Sequence, residues 1–541
     1  MKSIKFVATF LLLLATARTA VAGPLVDVAW LKEHLAKGDV LVIDASMTKS
    51  YMEKHIPGAT NVDLYLNGVW FNTSTAKMDA RLQSWGLSPG KKVVLYDEGA
   101  SPNATFLYYE LYYAGFPTDD MSILDGGLAK WEASGGAVTQ ERPAAPPKGT
   151  FHVTKTRDEV RVDLNEFVTA SADPSRHALV EALQPAMHFG EMKFFDRAGH
   201  VPRAVMMPVE DFYNADKTFK SPEEIRRMAA HLGIRPDREV LSYCGGGVAA
   251  TVPFFGLKVL SGYPDVKVFK GSLFEWLQDD RDLPLWTYDE PHIKRDTGWL
   301  NAWNNKMMRM FGVIRINIVD IRSPEQFKVN HVPFSLNIPA EVFRKGLDDP
   351  AKLAATLGAA GVDPREETVI VSDGAVTESS ALAFLALEKL GQKKVSLMMG
   401  SVDDWGMQGF PLTKEETRVG PKKSPMEISI VPVAYTAAVR ADVVTKDAHD
   451  KPGDYPKIFV ASGKDVPAKA QDGKVVHLPY TELLNADGTP KPAAEIWKLL
   501  AKAGVSRYAE IVAYADDPGD AAANYFVLRL MGFPDVKVLL L

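Results

Sequence analysis

The only cysteine in 541 residues, Cys244, opens the run Ser242-Tyr243-Cys244-Gly245-Gly246-Gly247-Val248-Ala249-Ala250-Thr251. The apolar Val240-Leu241-Ser242-Tyr243 predicts a buried strand before it, and Thr251 onward predicts a helix after it. Three consecutive glycines have little packing value, but their freedom at positive φ lets successive backbone N–H groups curl around a sulfur. Such a cradle at a helix start favours thiolate, the nucleophilic form. The competing reading is an inert buried cysteine behaving as a small hydrophobe. It leaves the glycine triplet unexplained, so Cys244 is the candidate nucleophile.

The elements that position this thiol recur along the chain. Gly262-Tyr263-Pro264-Asp265-Val266-Lys267-Val268 is echoed by Gly532-Phe533-Pro534-Asp535-Val536-Lys537-Val538, with weaker copies at Gly115-Phe116-Pro117 and Gly391-Gln392-Lys393. The first three copies in chain order lead to a glycine turn with a tryptophan five positions on: Gly126 to Trp131, Gly271 to Trp276, Gly400 to Trp405. A His-x-Pro turn lies upstream in three copies, at His55, His200 and His331. One module is therefore used four times. The offset from Gly262 back to Cys244 lands on Asp97 and Asp373 in the first and third modules, and on Ala515 or Asp516 in the fourth. Only the second module can do thiol chemistry. Short β-rich runs alternating with helical patterns predict an α/β fold of parallel sheets flanked by helices on both faces.

Polar, proline-bearing stretches divide the chain into modules over 24–140, 151–285, 298–414 and 426–541, the last abbreviated and leaning on its neighbour. Residues 1–22 read as a cleavable signal peptide: Met1-Lys2-Ser3-Ile4-Lys5, the apolar Phe6 to Ala15, then Ala20-Val21-Ala22. The expectation is a periplasmic or secreted protein without membrane insertion, because no stretch approaches the roughly twenty apolar residues of a spanning helix. A lone cysteine excludes an intrachain disulfide. With 46% hydrophobic and 24% charged residues the composition is globular, and a net charge of −6 with mixed signs gives no footprint for nucleic acid or anionic membrane.

Together, the cysteine opening a glycine loop between strand and helix, His-x-Pro upstream and Gly-Gly-x-x-x-Trp downstream resemble rhodanese, the sulfurtransferase fold. The resemblance covers nearly the whole chain after the leader and is strongest over about 151–285. It implies tandem rhodanese-like domains, of which the first two look like the cysteine-less and catalytic pair of thiosulfate and 3-mercaptopyruvate sulfurtransferases. The implied chemistry is a double displacement. The Cys244 thiolate takes the outer sulfur of a small anionic donor, and the persulfide passes it to a thiol, cyanide or a protein acceptor. The backbone N–H groups of Gly245, Gly246, Gly247, Val248 and Ala249 would hold the negative charge, with no metal or organic cofactor. The neutral loop is similar to mercaptopyruvate-type members. Arg203 and Arg197, flanking the His200 turn, are candidates for holding the donor's anionic end, although Arg203 stands where the family has the glycine of His-x-Pro-Gly. A Cys-x5-Arg phosphatase is disfavoured because the fifth intervening position is followed by no arginine clamp: the loop continues through Ala250 and Thr251. A non-catalytic persulfide carrier or scaffold that docks a partner protein is the alternative to an enzyme.

The remaining polar residues read as architecture. His200 recurs in modules without a thiol and is a turn element. Asp97 and Asp373 fill dead sites by accepting loop N–H groups. Glu181, Asp44 and Asp320 read as capping carboxylates. Trp131, Trp276 and Trp405 read as core, as do the methionines of Met307-Met308-Arg309-Met310, taken as a packed helix face. No His/Cys/Asp cluster has metal-ligand spacing along the chain.

Overall fold

Val93–Leu95, Ile318–Val319, Val369–Val371 and Ile511–Ala513 are apolar stretches with no exposed position, the signature of strands covered on both faces. In this computed structural model, which describes residues 23–424, 427–448, 453–468 and 473–541, each such stretch lies inside a five-stranded sheet. All pairings in the four five-stranded sheets are parallel, and each sheet has the same order: if its own strands are numbered along the chain, 1-5-4-2-3. The fourth sheet, from Val444–Thr445 to Val536–Leu539, is complete despite its degenerate sequence. The leader expected over 1–22 lies outside the described residues, among which no helix is long and apolar enough to cross a membrane.

The chain divides into two compact units, Met1–Val160 with Phe212–Lys220, and Arg161–Asp211 with Ser221–Leu541. The first contains a segment that lies inside the second sequence module. Phe219 N–H donates to Asp125 Oδ1 at 2.8 Å, Tyr213 OH to the Ser101 carbonyl at 3.3 Å, and Lys130 pairs with Asp216 at 2.6 Å.

In the second unit the third and fourth sheets share one hydrophobic core. Helices Glu378–Lys389 and Pro518–Leu530 pack together, with Phe384 edge-on to Phe526 at 5.1 Å, and Ala521, Ala522 and Ala523 fully buried. The fourth module also reaches the second: Trp497 stacks on Phe189 at 4.9 Å, and Tyr508 OH donates to Asp211 at 2.6 Å. The three repeated tryptophans are buried, and each indole N–H donates to a carbonyl just after its helix, that of Ala137, Pro284 or Pro411. The methionine run departs from expectation. Helix Lys306–Met310 buries none of its residues, and Met307 is 59% exposed, because five residues present too narrow a stripe to cover a sheet.

Candidate active site

Cys244 follows the last residue of strand Glu239–Tyr243, the centre of the second sheet, and is 2% exposed. Its backbone N–H donates to Ser272 Oγ at 3.0 Å, and Ser272 Oγ donates to the Phe269 carbonyl at 2.8 Å while lying 4.0 Å from Sγ. Ser272 has φ of 51°, a left-handed conformation that Gly127 adopts at the matching place in the first module. A serine there carries strain of about 1 kcal/mol, offset by the bond that fixes the nucleophile. Leu273 and Phe274 N–H groups donate to the carbonyls of Cys244 and Gly245, each at 3.0 Å.

The glycine loop bends back so that Gly247 N–H donates to Sγ at 3.1 Å. Gly247 has φ of 87°, and a Cβ there would stand 2.3 Å from the Lys270 carbonyl oxygen, so only glycine closes the loop. Gly245 is buried under Phe194, whose ring would stand 2.5 Å from an added Cβ. Gly246, Val248 and Ala249 form the partly exposed face, and the carbonyls of Val248 and Ala249 accept from Thr251 and Val252 N–H. The helix expected from Thr251 is α-helical only to Phe254 and then a π-helix over Phe255–Leu260, since Pro253 supplies no N–H to the ladder.

Phe194 belongs to a two-stranded hairpin, Lys193–Phe194 with Arg197–Ala198. With Phe195, 57% exposed, and Phe274 it forms an aromatic wall at the loop, ring centroids 4.9–5.4 Å apart. Sequence reasoning missed this wall, although a count reveals it. From strand-end acid to His-x-Pro histidine there are 19 positions between Glu181 and His200, but 11 between Asp44 and His55 and 11 between Asp320 and His331. Lys270 was also overlooked: it heads the tryptophan turn where the other modules have Asp125 and Met399.

The two arginines do not meet the thiol. Arg197 Nη1 is committed to Asp282 at 2.7 Å and to the Leu283 carbonyl at 3.0 Å. Arg203 Nη1 donates to the carbonyls of Ser171 and Ala172, at the end of helix Leu164–Ala172 that feeds the N-terminal edge of the sheet, whereas Cys244 lies at the C-terminal edge. The expected donor-holding role for Arg203 is therefore replaced by a backbone one. With φ of 66° it occupies the left-handed position that Gly58 fills in the first module and Phe334 in the third.

Behind the nucleophile runs a buried polar chain. Tyr243 OH accepts Val201 N–H at 3.0 Å and donates to Glu181 at 3.1 Å. Glu181 also bonds His188 Nδ1, and His188 Nε2 donates to Asp289 at 2.6 Å, with Arg507 3.4 Å beyond. Burial opposes the imidazolium, but Asp289 and Glu181 outweigh it and raise His188 to about 9. Burial, then the charge on His188, lower His200 to about 3. Burial acts to raise Asp289, but His188 and Arg507 hold it at about 2. Glu181 is thus an internal ion-pair partner rather than a cap.

His188, His200 and Asp289 bring three ligand atoms within 4.8 Å of one another, a metal-capable grouping that chain spacing concealed. The stack of His188 on His200 at 3.7 Å is nevertheless the module's own packing: Tyr51 stacks on His55 at 3.8 Å and Phe327 on His331 at 3.7 Å. In each copy the histidine's Nδ1–H donates to a carbonyl, that of His188, Tyr51 or Phe327, and its backbone forms an isolated antiparallel bridge to the segment after the tryptophan helix.

The cysteine-less sites differ from each other. Asp97 accepts Gly99 N–H at 2.8 Å and Ala104 N–H at 2.9 Å, in the thiolate's place, under Tyr213. Asp373 is instead 60% exposed and holds Gln326 at 3.0 Å, because Ser372 Oγ bonds with Gly374 in the loop. Burial raises Asp97 to about 7 despite its two N–H donors. Its unfolded value is about 3.9, so the folded first unit binds the extra proton between about pH 4 and pH 7, and stability falls as pH rises through that window. Asp97→Asn is expected to flatten this slope in pH-dependent thermal melts; an unchanged slope would assign it elsewhere.

The family profile described as Rhodanese-like domain matches residues 27–134, 171–279 and 301–408. The chain belongs to the rhodanese-like family. Among rhodanese relatives, a probable 3-mercaptopyruvate sulfurtransferase of Pseudomonas aeruginosa is 32% identical over 271 residues, covering 46% of this chain and 94% of that one. The sulfur carrier protein TtuD of Thermus thermophilus is 32% identical over 273 residues, covering 47% and 93%. Among solved structures, the anaerobic ergothioneine biosynthesis enzyme of Chlorobium limicola is similar at 25% identity and a TM-score of 0.43, covering 49% of this chain and 70% of that one.

Proposed function

We propose that this protein is an exported sulfurtransferase that moves one sulfur from thiosulfate or 3-mercaptopyruvate to cyanide or a thiol through a persulfide on Cys244. The observation that carries the reading is the Gly247 N–H aimed at Sγ in a loop whose side chains bear no charge. The thiolate attacks the donor's outer sulfur. With thiosulfate the S–S bond breaks and sulfite leaves with its electron pair. With mercaptopyruvate the C–S bond breaks, and the pyruvate enolate keeps the pair and takes up the donor's thiol proton. The acceptor then attacks the outer persulfide sulfur and returns Cys244 to thiolate, so the protein undergoes no net redox change. Backbone donors stabilise the charge on both sulfurs without a titrating partner.

Exposed Phe195 beside the buried thiol favours a second reading, a persulfide carrier whose partner docks on the aromatic wall. Intact mass spectrometry after exposure to each donor separately, then to cyanide, tests both. Gain of one sulfur, removal by cyanide and repeated turnover support the enzyme. One sulfur taken up and retained supports the carrier. No adduct with either donor refutes the enzyme and leaves a scaffold or a carrier loaded only by its partner.

A further inference from the structure

A cavity of about 620 Å3 opens in the second unit, well within the usual range for small-ligand sites. No residue of the 244–249 loop lines it. Its walls bring together cations from across the second unit: Arg203 from the second module, Arg295 from the first strand of the third sheet, Lys394 from the third module, Arg507 and Arg529 from the fourth. The lining carboxylates are Asp289 and Glu290, while Trp286 and Phe533 supply apolar surface.

These cations are unequally paired. Arg295 is matched by Glu367 through two bonds of 2.8 and 3.0 Å. Arg203 bonds only carbonyls, and among the described residues no carboxylate lies within 4 Å of Lys394 or Arg203. Arg507 is only 6% exposed, yet its contacts to the Met206 carbonyl and to Asp289 are both 3.4 Å long, and its Nε–H has no acceptor. Arg529 repeats the pattern, with one 3.4 Å contact to Glu388 and an unpartnered buried Nε–H. Buried guanidinium donors without acceptors are rare because each forfeits its hydration. Two such weakly paired guanidiniums and two cations without a carboxylate partner line one cavity, where among the described residues Asp289 and Glu290 are the only lining carboxylates, so positive charge is in excess.

We propose that this cavity binds a compact organic polyanion, a small apolar body bearing two or more carboxylate or phosphate groups, which bridges the three modules. The groups would pair with Arg203 and Lys394 and with the guanidinium charges of Arg507 and Arg529, while the body lies against Trp286 and Phe533.

Isothermal titration of the full chain at low salt, with citrate and with 2,3-bisphosphoglycerate as probes, tests the assignment. At least one probe is expected to bind saturably at one per chain, more weakly as salt rises. Citrate alone would indicate carboxylate recognition, bisphosphoglycerate alone phosphate. Arg203→Gly with Lys394→Ala should weaken binding at least about tenfold. Glycine suits the positive φ at 203 and both side chains are exposed, so an unchanged melt shows the fold intact. Lys394→Glu alone should weaken it further than Lys394→Ala, and Cys244→Ser should retain it. No saturable binding of either probe, equal affinity in the double variant, or loss of binding in Cys244→Ser overturns the proposal.

Discussion

Cys244→Ser will leave the protein folded and without sulfur uptake from either donor, its transfer rate at the uncatalysed background. A serine hydroxyl is barely ionised near neutral pH, and the side-chain hydroxyl beside it, Ser272 Oγ at 4.0 Å, is no base and already donates to the Phe269 carbonyl. The serine oxygen can still accept Gly247 N–H, so stability should change by less than about 1 kcal/mol. Mass spectrometry and a melting curve on the same preparation read both quantities. Retained transfer with an intact fold would remove the cysteine from the mechanism.

Asp289→Ala will be the most destabilising change outside the hydrophobic core. The Asp289 carboxylate faces His188 at 2.6 Å and Arg507 at 3.4 Å, and both partners are buried. Its removal leaves buried Arg507 without a carboxylate and His188 with Glu181 alone, a cost of about 3 kcal/mol. The wild-type ion pairs also carry a pH signature. His188 rises from 6.5 to about 9 on folding, so its contribution is full below about pH 6.5 and fades as pH climbs through about 9. Urea unfolding followed by tryptophan fluorescence should show that alkaline loss in the wild type and a smaller one in Asp289→Asn, where Glu181 alone faces His188. A cost under about 1 kcal/mol in Asp289→Ala would show that water reaches the site.

Periodicity carried the architecture because each module must bury a central strand on both faces and then turn sharply. Apolar runs such as Val369–Val371 and the glycine turns before Trp131, Trp276 and Trp405 leave little freedom in register, and the nucleophile position follows by counting. The Asp97 substitution was legible for the same reason. What escaped were contacts made by residues distant in the chain. Arg507 completes an ion chain that begins beside Cys244, and nothing local to either position announces it. Arg203 was misplaced because charge and proximity to His200 outweighed a conformational fact, the left-handed φ that directs its side chain to the far strand ends. The Phe212–Lys220 segment illustrates the limit of linear boundaries, since its bonds to Ser101 and Asp125 put it in the first unit.

The eight extra residues that fold the Phe194 hairpin over Gly245 bear on the survival of an unpaired thiol. Cys244 is 2% exposed and its neighbour Gly245 lies under the Phe194 ring, so a bulky disulfide meets the loop before it reaches Sγ in the extended, nearly collinear geometry that thiol–disulfide exchange requires. Burial of this kind is expected to make the Cys244 thiol react with a bulky aromatic disulfide reagent far more slowly in the folded protein than after unfolding in urea, a difference that timed absorbance reads directly.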